Sequence, residues 1–338
     1  MAPKFDYNRS KKRKEGSYMK WGLLVSLLLI CCISIAGCNA GGNLSSMSEE
    51  SSLPTESHNR LVDTLPPPRS DSGEESSSLS TSSGGAVSPS SGTPSTSSAA
   101  PAPQTVKITF PEGKTFAQMA EMLEEKGVCT KQELLDTINT YDYSYYPLVA
   151  AQPYNEHRCF RLEGYLFPAT YTFQLNMKPE DVLGMFLRAE EQYVTEEDRQ
   201  RAAELGYSMD EILTIASLIQ GEAGNPNELG KVSSIIHNRL KAGMKLQMDS
   251  SIRYVENSVK PYITGDINRY NSYYNTYKCS GLPAGPICNP GKQWITAALY
   301  PEDTDYLYFV NDANGNYYYA STHEEHLANC EAAGIPVA

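Results

Sequence analysis

The sequence predicts an α+β fold, on three observations. Val106, Ile108 and Phe110 alternate with polar residues, as a half-buried strand does. Between Ser208 and Gly243, apolar residues recur at helical spacing in two runs broken by Asn225-Pro226. Residues 306–310 and 317–320 have strand composition and flank Asn314-Gly315, a strong hairpin signal.

Taken in order, the strand ends at the turn Pro111-Glu112-Gly113. Thr115 with Gln118 forms a capping box, and Phe116, Met119, Ala120 and Leu123 give the helix one apolar side before Gly127 stops it. Thr130 with Glu133 opens a second helix carrying Leu134, Leu135 and Ile138, which completes a strand-helix-helix unit over residues 105–140. A Tyr-rich connection leads to the strand-like Tyr171-Thr172-Phe173 and to a helix with Pro179 in its first turn. Ser208 with Glu211 starts the next helix, and Leu229, Val232, Ile236 and Leu240 mark its partner, stopped by Gly243. These two helices form an αα-hairpin with Glu222 near the joint. From residue 244 the pattern alternates loops with short β-like stretches as far as the hairpin, and Thr322 with Glu325 caps a last short helix. No internal repeat is present.

The first hundred residues cannot build a core. Residues 1–20 carry seven basic side chains, and residues 21–37 are an uncharged apolar run of 17, an export or anchoring signal. The run ends Ile35-Ala36-Gly37-Cys38, which resembles the lipobox of bacterial lipoproteins. That resemblance implies lipidation of Cys38 as the first mature residue. The alternative is an uncleaved membrane helix, for which 17 residues just reach the lower limit. Small residues at the end of the run, with Asn39-Ala40-Gly41-Gly42-Asn43 after it, favour the lipid anchor. In either case the basic residues stay cytoplasmic and the remainder lies outside. Residues 39–104 are rich in Ser, Thr, Pro and Gly and are expected to form a disordered tether.

The chain holds 28 basic and 40 acidic residues; the first 38 residues take 7 and 2 of these, which leaves 21 against 38, or −17, for the exported part. Phosphate binding needs a basic face, so no nucleic-acid partner is expected. Of eight cysteines, Cys129, Cys159, Cys279, Cys288 and Cys330 lie in the exported part. Their spacing resembles no zinc site, so no metal is expected, and no thiol has a catalytic role. Cys279 and Cys288, around a Pro/Gly-rich loop, are the candidate disulfide by proximity.

Glu222 is the candidate acid. Positions four and seven before it are Leu218 and Ile215, on the same face of a helix, which predicts an inward carboxyl. Burial disfavours the charged form, raises the pKa and keeps a general acid protonated near neutrality. The bland alternative is a helix-end glutamate turned to solvent between Gly221 and Gly224.

Six motifs then fall in one order: Ala216-Ser217-Leu218-Ile219-Gln220-Gly221-Glu222, Asn238-Arg239-Leu240, Leu246-Gln247-Met248-Asp249, Tyr274-Asn275-Thr276-Tyr277, Gly281-Leu282-Pro283-Ala284-Gly285-Pro286-Ile287 and Tyr306-Leu307-Tyr308-Phe309-Val310. In this order they resemble the endolytic murein transglycosylase, or YceG-like, family over about residues 105–335. The resemblance implies cleavage of the MurNAc to GlcNAc β-1,4 bond of peptidoglycan without water, leaving 1,6-anhydro-MurNAc ends. It implies Glu222 as the catalytic glutamate, a LysM-like module at 105–160 and a catalytic domain at 161–338. No cofactor is required. The implied partners are peptidoglycan glycan strands and peptidoglycan synthases, at the outer face of the bacterial cytoplasmic membrane.

Further site residues are weaker. Gln247 and Asp249 either orient substrate or shape the following turn. Tyr274, Asn275, Thr276 and Tyr277 would line a sugar, with rings stacking on pyranose faces and the amide on hydroxyls. Residues 281–291 would shape the groove as a rigid loop. His326, in a C-terminal segment that recurs in the family, is a supporting candidate. Two positions depart from the family pattern: Gln220 stands where a glutamate is common, and Ala169 where Phe-Pro-Asp-Thr-Tyr would carry a carboxylate. The latter puts the placement of the N-terminal piece in question. Two other functions compete: a muramidase using water with Asp249 as second carboxylate, and a non-catalytic wall-binding lipoprotein.

Overall fold

A computed structural model describes residues 103–336. The apolar run, Cys38 and nearly all of the expected tether lie outside the described residues. Among those described, no helix is long and apolar enough to cross a membrane. The fold is α+β. Its described residues divide into two units, 103–305 and 306–336.

The larger unit opens with β1 (Thr105–Thr109), α1 (Phe116–Glu125), α2 (Lys131–Thr137) and a one-turn α3 (Pro147–Ala150). Both expected capping boxes form, at Thr115 with Gln118 and at Thr130 with Glu133. Next, β2 (Thr170–Gln174) pairs antiparallel with β1, from Thr105 opposite Gln174 to Thr109 opposite Thr170. This ladder crosses the domain boundary expected at 160/161, and residues on both sides of that boundary belong to one unit. The ladder continues through the Phe110 N–H, which donates to the Ala169 carbonyl at 2.9 Å. That bond uses only main chain, so the missing carboxylate at 169 does not prevent the attachment. Phe110, just after β1, and Tyr171 of β2 meet Phe186 of α4 (Pro179–Tyr193) edge to face, the Phe110–Phe186 centroids 5.0 Å apart, and Phe173 packs on the same ring at a tilt.

Three helices follow: α5 (Glu196–Leu205), with a Thr195/Asp198 capping box that the sequence reading passes over, α6 (Met209–Glu222) and α7 (Leu229–Lys241). The expected αα-hairpin is present, joined by a 3-10 turn over Pro226–Glu228. Beyond residue 244 the structure is helical where loops and β pattern were expected. It contains α8 (Asp249–Tyr254), which runs into a π-helical turn over Val255–Val259, then α9 (Asn271–Tyr274) and α10 (Lys292–Leu299). Helices of four to eight residues span too few turns for a periodic signal, and packing decides them.

The central element is α6. Ile212, Leu213, Ile215, Ala216, Leu218 and Ile219 are at most 1% exposed, so the helix is buried all round, between α7 and α10. The last carbonyls of α10, which lack partners within their own helix, accept from Ser233 Oγ (Ala297, 2.7 Å), His237 Nε2 (Ala298, 2.9 Å) and Arg201 Nε (Leu299, 3.1 Å).

Three buried polar groups bind this unit together. Asn289 Oδ1 accepts from the N–H groups of Gly164 and Leu166, both at 2.9 Å, while Nδ2 donates to Lys114 O and to Glu163 Oε1. Glu163, fully buried, also accepts from Phe116 N–H at 2.9 Å and from Tyr254 OH at 3.2 Å. Gly164 has φ 87°, and a Cβ there would lie 2.4 Å from Pro286, so the segment after Glu163 requires glycine. The third group is the buried pair of Arg158 with Asp210, Nη2 to Oδ2 2.7 Å.

Glu190 on α4 is 1% exposed and leaves Oε1 without a hydrogen bond. Burial pushes its carboxyl up to about 8, Lys292 pulling back. With the folded pKa above the ordinary 4.5, its stabilising contribution is complete at acid pH and is lost as pH rises towards 8, by roughly 1.4 kcal/mol per unit in that window. Glu190→Gln is therefore expected to narrow the fall in thermal midpoint between pH 5 and pH 9. Parallel curves for the two proteins would contradict it.

The smaller unit is the expected hairpin and cap. In it β3 (Tyr308–Asn311) pairs antiparallel with β4 (Tyr317–Ala320), and α11 (His323–Ala332) starts at a Thr322/Glu325 capping box. All five described cysteines are free. The Cys279–Cys288 bridge does not form, because Cys288 is buried against α6 with Sγ 3.6 Å from Ser217 O, while Cys279 Sγ lies 3.3 Å from Ser272 O.

Candidate active site

Glu222 is the last residue of α6 and is half-buried. What faces it is the start of α8, which a chain of hydrogen bonds puts in place. Arg239, buried on α7, donates through Nη1 to the carbonyls of Lys245 (3.1 Å) and Leu246 (2.8 Å) and to Gln247 Oε1 (3.4 Å). Gln247 takes a left-handed conformation, φ 55°, uncommon outside glycine, and its N–H donates to Thr276 O at 3.1 Å. Thr276 Oγ1 accepts from Met248 N–H at 2.8 Å, and Ser251 Oγ donates to Met248 O at 2.8 Å. Once the chain is fixed at 247–248, the Ser250 N–H, one of the free donors of the first turn of α8, donates to Glu222 Oε1 at 3.1 Å.

The two helix ends touch. A Cβ on Gly221 would lie 2.7 Å from Ser250 Cβ and 3.4 Å from Ile287 Cδ1, so this close approach depends on glycine. Ile287 comes from the loop that seats on α6 through its own N–H to Ser217 Oγ, 3.0 Å. Burial pushes the Glu222 carboxyl above its ordinary value, against the Ser250 side chain, the Ser250 N–H and Arg253, while Asp249 pushes the same way as burial. The sequence expectation of a raised pKa by burial is met, but the surroundings are not purely aliphatic.

Asp249, exposed on α8, accepts a hydrogen bond from Tyr277 OH at 2.8 Å. Arg253, one turn further along the helix and exposed, reaches Gly221 O with Nη2 at 3.4 Å. Glu222, Asp249, Ser250, Arg253 and Tyr277 thus gather around one helix end.

Other expected site residues have different places. Tyr274 and Thr276 are fully buried, so neither presents a face to a sugar: Tyr274 packs on Tyr254 at 5.2 Å, and Thr276 holds the main chain of Gln247 and Met248. Asn275 caps α9 and accepts the Tyr277 N–H with Oδ1 at 2.9 Å, which shapes the turn that presents Tyr277. Gln247 serves the same framework. His326 sits on α11 in the smaller unit, stacked on Tyr308 at 5.0 Å, with Nε2 3.7 Å from Cys330 Sγ. Gln220, the departure next to Glu222, accepts from Gly291 N–H at 3.3 Å and packs on Gly113, a structural task.

Sequence reasoning missed Ser250 and Arg253 because it missed α8. Asp249 and Arg253, opposite charges four apart, were the available signal.

The YceG-like family matches residues 93–332. The endolytic murein transglycosylase of Bacillus subtilis (strain 168) is 34% identical over 227 residues, 65% of this chain and 63% of its own length. The protein of the same name from Streptococcus pneumoniae serotype 2 is 30% identical over 251 residues, 67% of this chain and 44% of its own. A crystal structure of a yceG-like protein from Listeria monocytogenes aligns at a TM-score of 0.57 and 32% identity, over 66% of this chain and 75% of that one. The chain spans less than two thirds of the length of these curated relatives. The match at 93–332 takes in β1, the αα-hairpin with Glu222 and the C-terminal hairpin together, and the chain belongs to the YceG-like family.

Proposed function

We propose that this protein is an endolytic lytic transglycosylase that cuts peptidoglycan strands between MurNAc and GlcNAc, with Glu222 as acid and then base. The observation that carries this is the Glu222 carboxyl itself: burial raises its pKa, and a main-chain N–H fixes one of its oxygens. The names of the relatives, endolytic murein transglycosylases, support the reaction class. Protonated Glu222 gives its proton to the glycosidic oxygen as the C1–O4 bond breaks. The C6 hydroxyl oxygen then bonds to C1, and its proton passes to the Glu222 carboxylate, which restores the acid. No water is consumed, and one carboxyl group suffices, where a hydrolase usually employs two.

In this reading Tyr277 and Asp249 hold hydroxyls of the strand, and the segment from β1 to α2 serves as a LysM-like piece that grips glycan. Anchoring through Cys38 would keep the enzyme at the outer face of the cytoplasmic membrane, beside nascent wall and the synthases that make it.

The test is the chemistry of the ends. The full chain incubated with purified sacculi is expected to release fragments ending in 1,6-anhydro-MurNAc, identified by mass spectrometry. Reducing ends would replace this reading with the muramidase one and give Asp249 the second carboxyl role. Binding without release of fragments would leave a wall-binding protein.

A further inference from the structure

Ser250 is 5% exposed, and its Oγ meets no partner in full hydrogen-bond geometry, although it lies near enough to the Glu222 carboxyl to favour its charged form. Its neighbour Ser251 behaves otherwise: that hydroxyl donates to Met248 O at 2.8 Å and lies 3.1 Å from Thr276 Oγ1. A buried hydroxyl with no partner lowers stability relative to alanine. The same serine approaches the end of α6 as closely as Gly221 permits, so the hydroxyl cannot move far from the carboxyl without parting the two helices.

In the proposed reaction, the group here whose hydrogen-bonding capacity changes is Glu222. Protonated, it presents a donor to the leaving oxygen. Once the proton has gone, both oxygens are acceptors and carry a full charge in a half-buried site. A donor at that position binds the charged carboxylate more strongly than the neutral acid, and only interactions stronger after proton transfer has begun accelerate the step.

We propose that Ser250 is a positioning residue for Glu222, its hydroxyl turning to donate to the carboxylate as the proton leaves and releasing it when the proton returns. This rests on the acid and base role given to Glu222. The charged and titratable groups facing that carboxyl are Asp249 and Arg253, from the same helix as Ser250, and Tyr277 from the loop after α9. Asp249 and Tyr277 are tied to each other and Arg253 reaches Gly221 O, while the serine hydroxyl meets no partner in full hydrogen-bond geometry.

Ser250→Ala removes only the hydroxyl and keeps the main-chain N–H on Glu222. Its thermal midpoint is expected to equal or exceed that of the unchanged protein. kcat on purified glycan is expected to fall about 10- to 100-fold, with KM within about twofold. The alkaline limb of kcat/KM moves to higher pH, because a donor that favours the charged carboxyl has been removed. A second measurement needs no substrate. The Glu222 carboxyl carbon, assigned by its loss in Glu222→Gln, is titrated by carbon NMR in the full chain, and its midpoint is expected to rise in Ser250→Ala.

An unchanged midpoint together with an unchanged kcat would overturn the proposal. So would a lowered thermal midpoint with activity reduced in proportion and the pH profile in place, since that is the signature of a merely structural serine. If the carbon titration moves while the unchanged protein yields no anhydro ends, the coupling of Ser250 to Glu222 stands and the proposed reaction fails.

Discussion

Glu222→Gln is expected to abolish release of anhydro-ended fragments, a loss of roughly 10³-fold or more, because the amide can neither give nor take the proton. The fold should be untouched. Glutamine is nearly isosteric, its carbonyl oxygen can accept the Ser250 N–H that Oε1 accepts at 3.1 Å, and no desolvated carboxyl remains to be buried. Equal or raised thermal stability with no product is therefore the paired result. The pH dependence of the unchanged protein follows from the same group. Its pKa is raised, so the protonated form persists above the ordinary carboxylate range, and kcat/KM falls as pH rises through the shifted value. Product formation by Glu222→Gln close to the original rate would remove the assignment.

The largest effect on stability is expected at Asp210. It lies at the start of α6 and is buried with Arg158, whose Nη2 reaches Oδ1 at 2.8 Å and Oδ2 at 2.7 Å, while Tyr165 OH donates to Oδ1 at 2.6 Å. Arg158 Nε also reaches Ala284 O at 3.3 Å, so the pair anchors the loop that carries Ile287 to the active end of α6. Removing one partner leaves the other charge buried and uncompensated, which costs about 3–5 kcal/mol. Asp210→Ala should lower the thermal midpoint on the order of 10 °C, readable by calorimetry. Asp210→Asn, which still accepts from Tyr165, should lose less. A midpoint for Asp210→Ala within a degree or two of the original would show that the ion pair is dispensable.

Local chemistry was legible. Each expected capping box, at Thr115, Thr130, Ser208 and Thr322, closes as drawn, because a hydroxyl and a carboxyl or amide three residues apart satisfy the first N–H groups of a helix without help from elsewhere. The C-terminal hairpin and the αα-hairpin were legible for the same reason: each joins neighbours in sequence through a short turn. The pairing of β1 with β2 was not, since nothing in either strand states that partners some sixty residues apart will meet.

The phase of Glu222 was a weaker guide than it looked. α6 is buried on every side from Ile212 to Ile219, so an inward phase separates no residue of that stretch from another. What distinguishes Glu222 is its position at the exposed end, where α8 arrives. Tyr274 and Thr276 illustrate the converse: polar and aromatic residues in a family motif that serve the interior and hold the loop.

By itself the sequence determined where helices begin, that the chain mixes helix and strand, which motifs it shares with its relatives and which carboxyl is the candidate acid, because all of these reside in neighbouring residues or in motif order. Tertiary structure alone decided what that carboxyl meets. Ser250, Arg253 and Tyr277 reach Glu222 from segments 28 to 55 residues further along the chain, brought there by Arg239, Thr276 and a glycine that lets two helix ends touch. Such contacts depend on long-range closure of the chain, which no local pattern encodes.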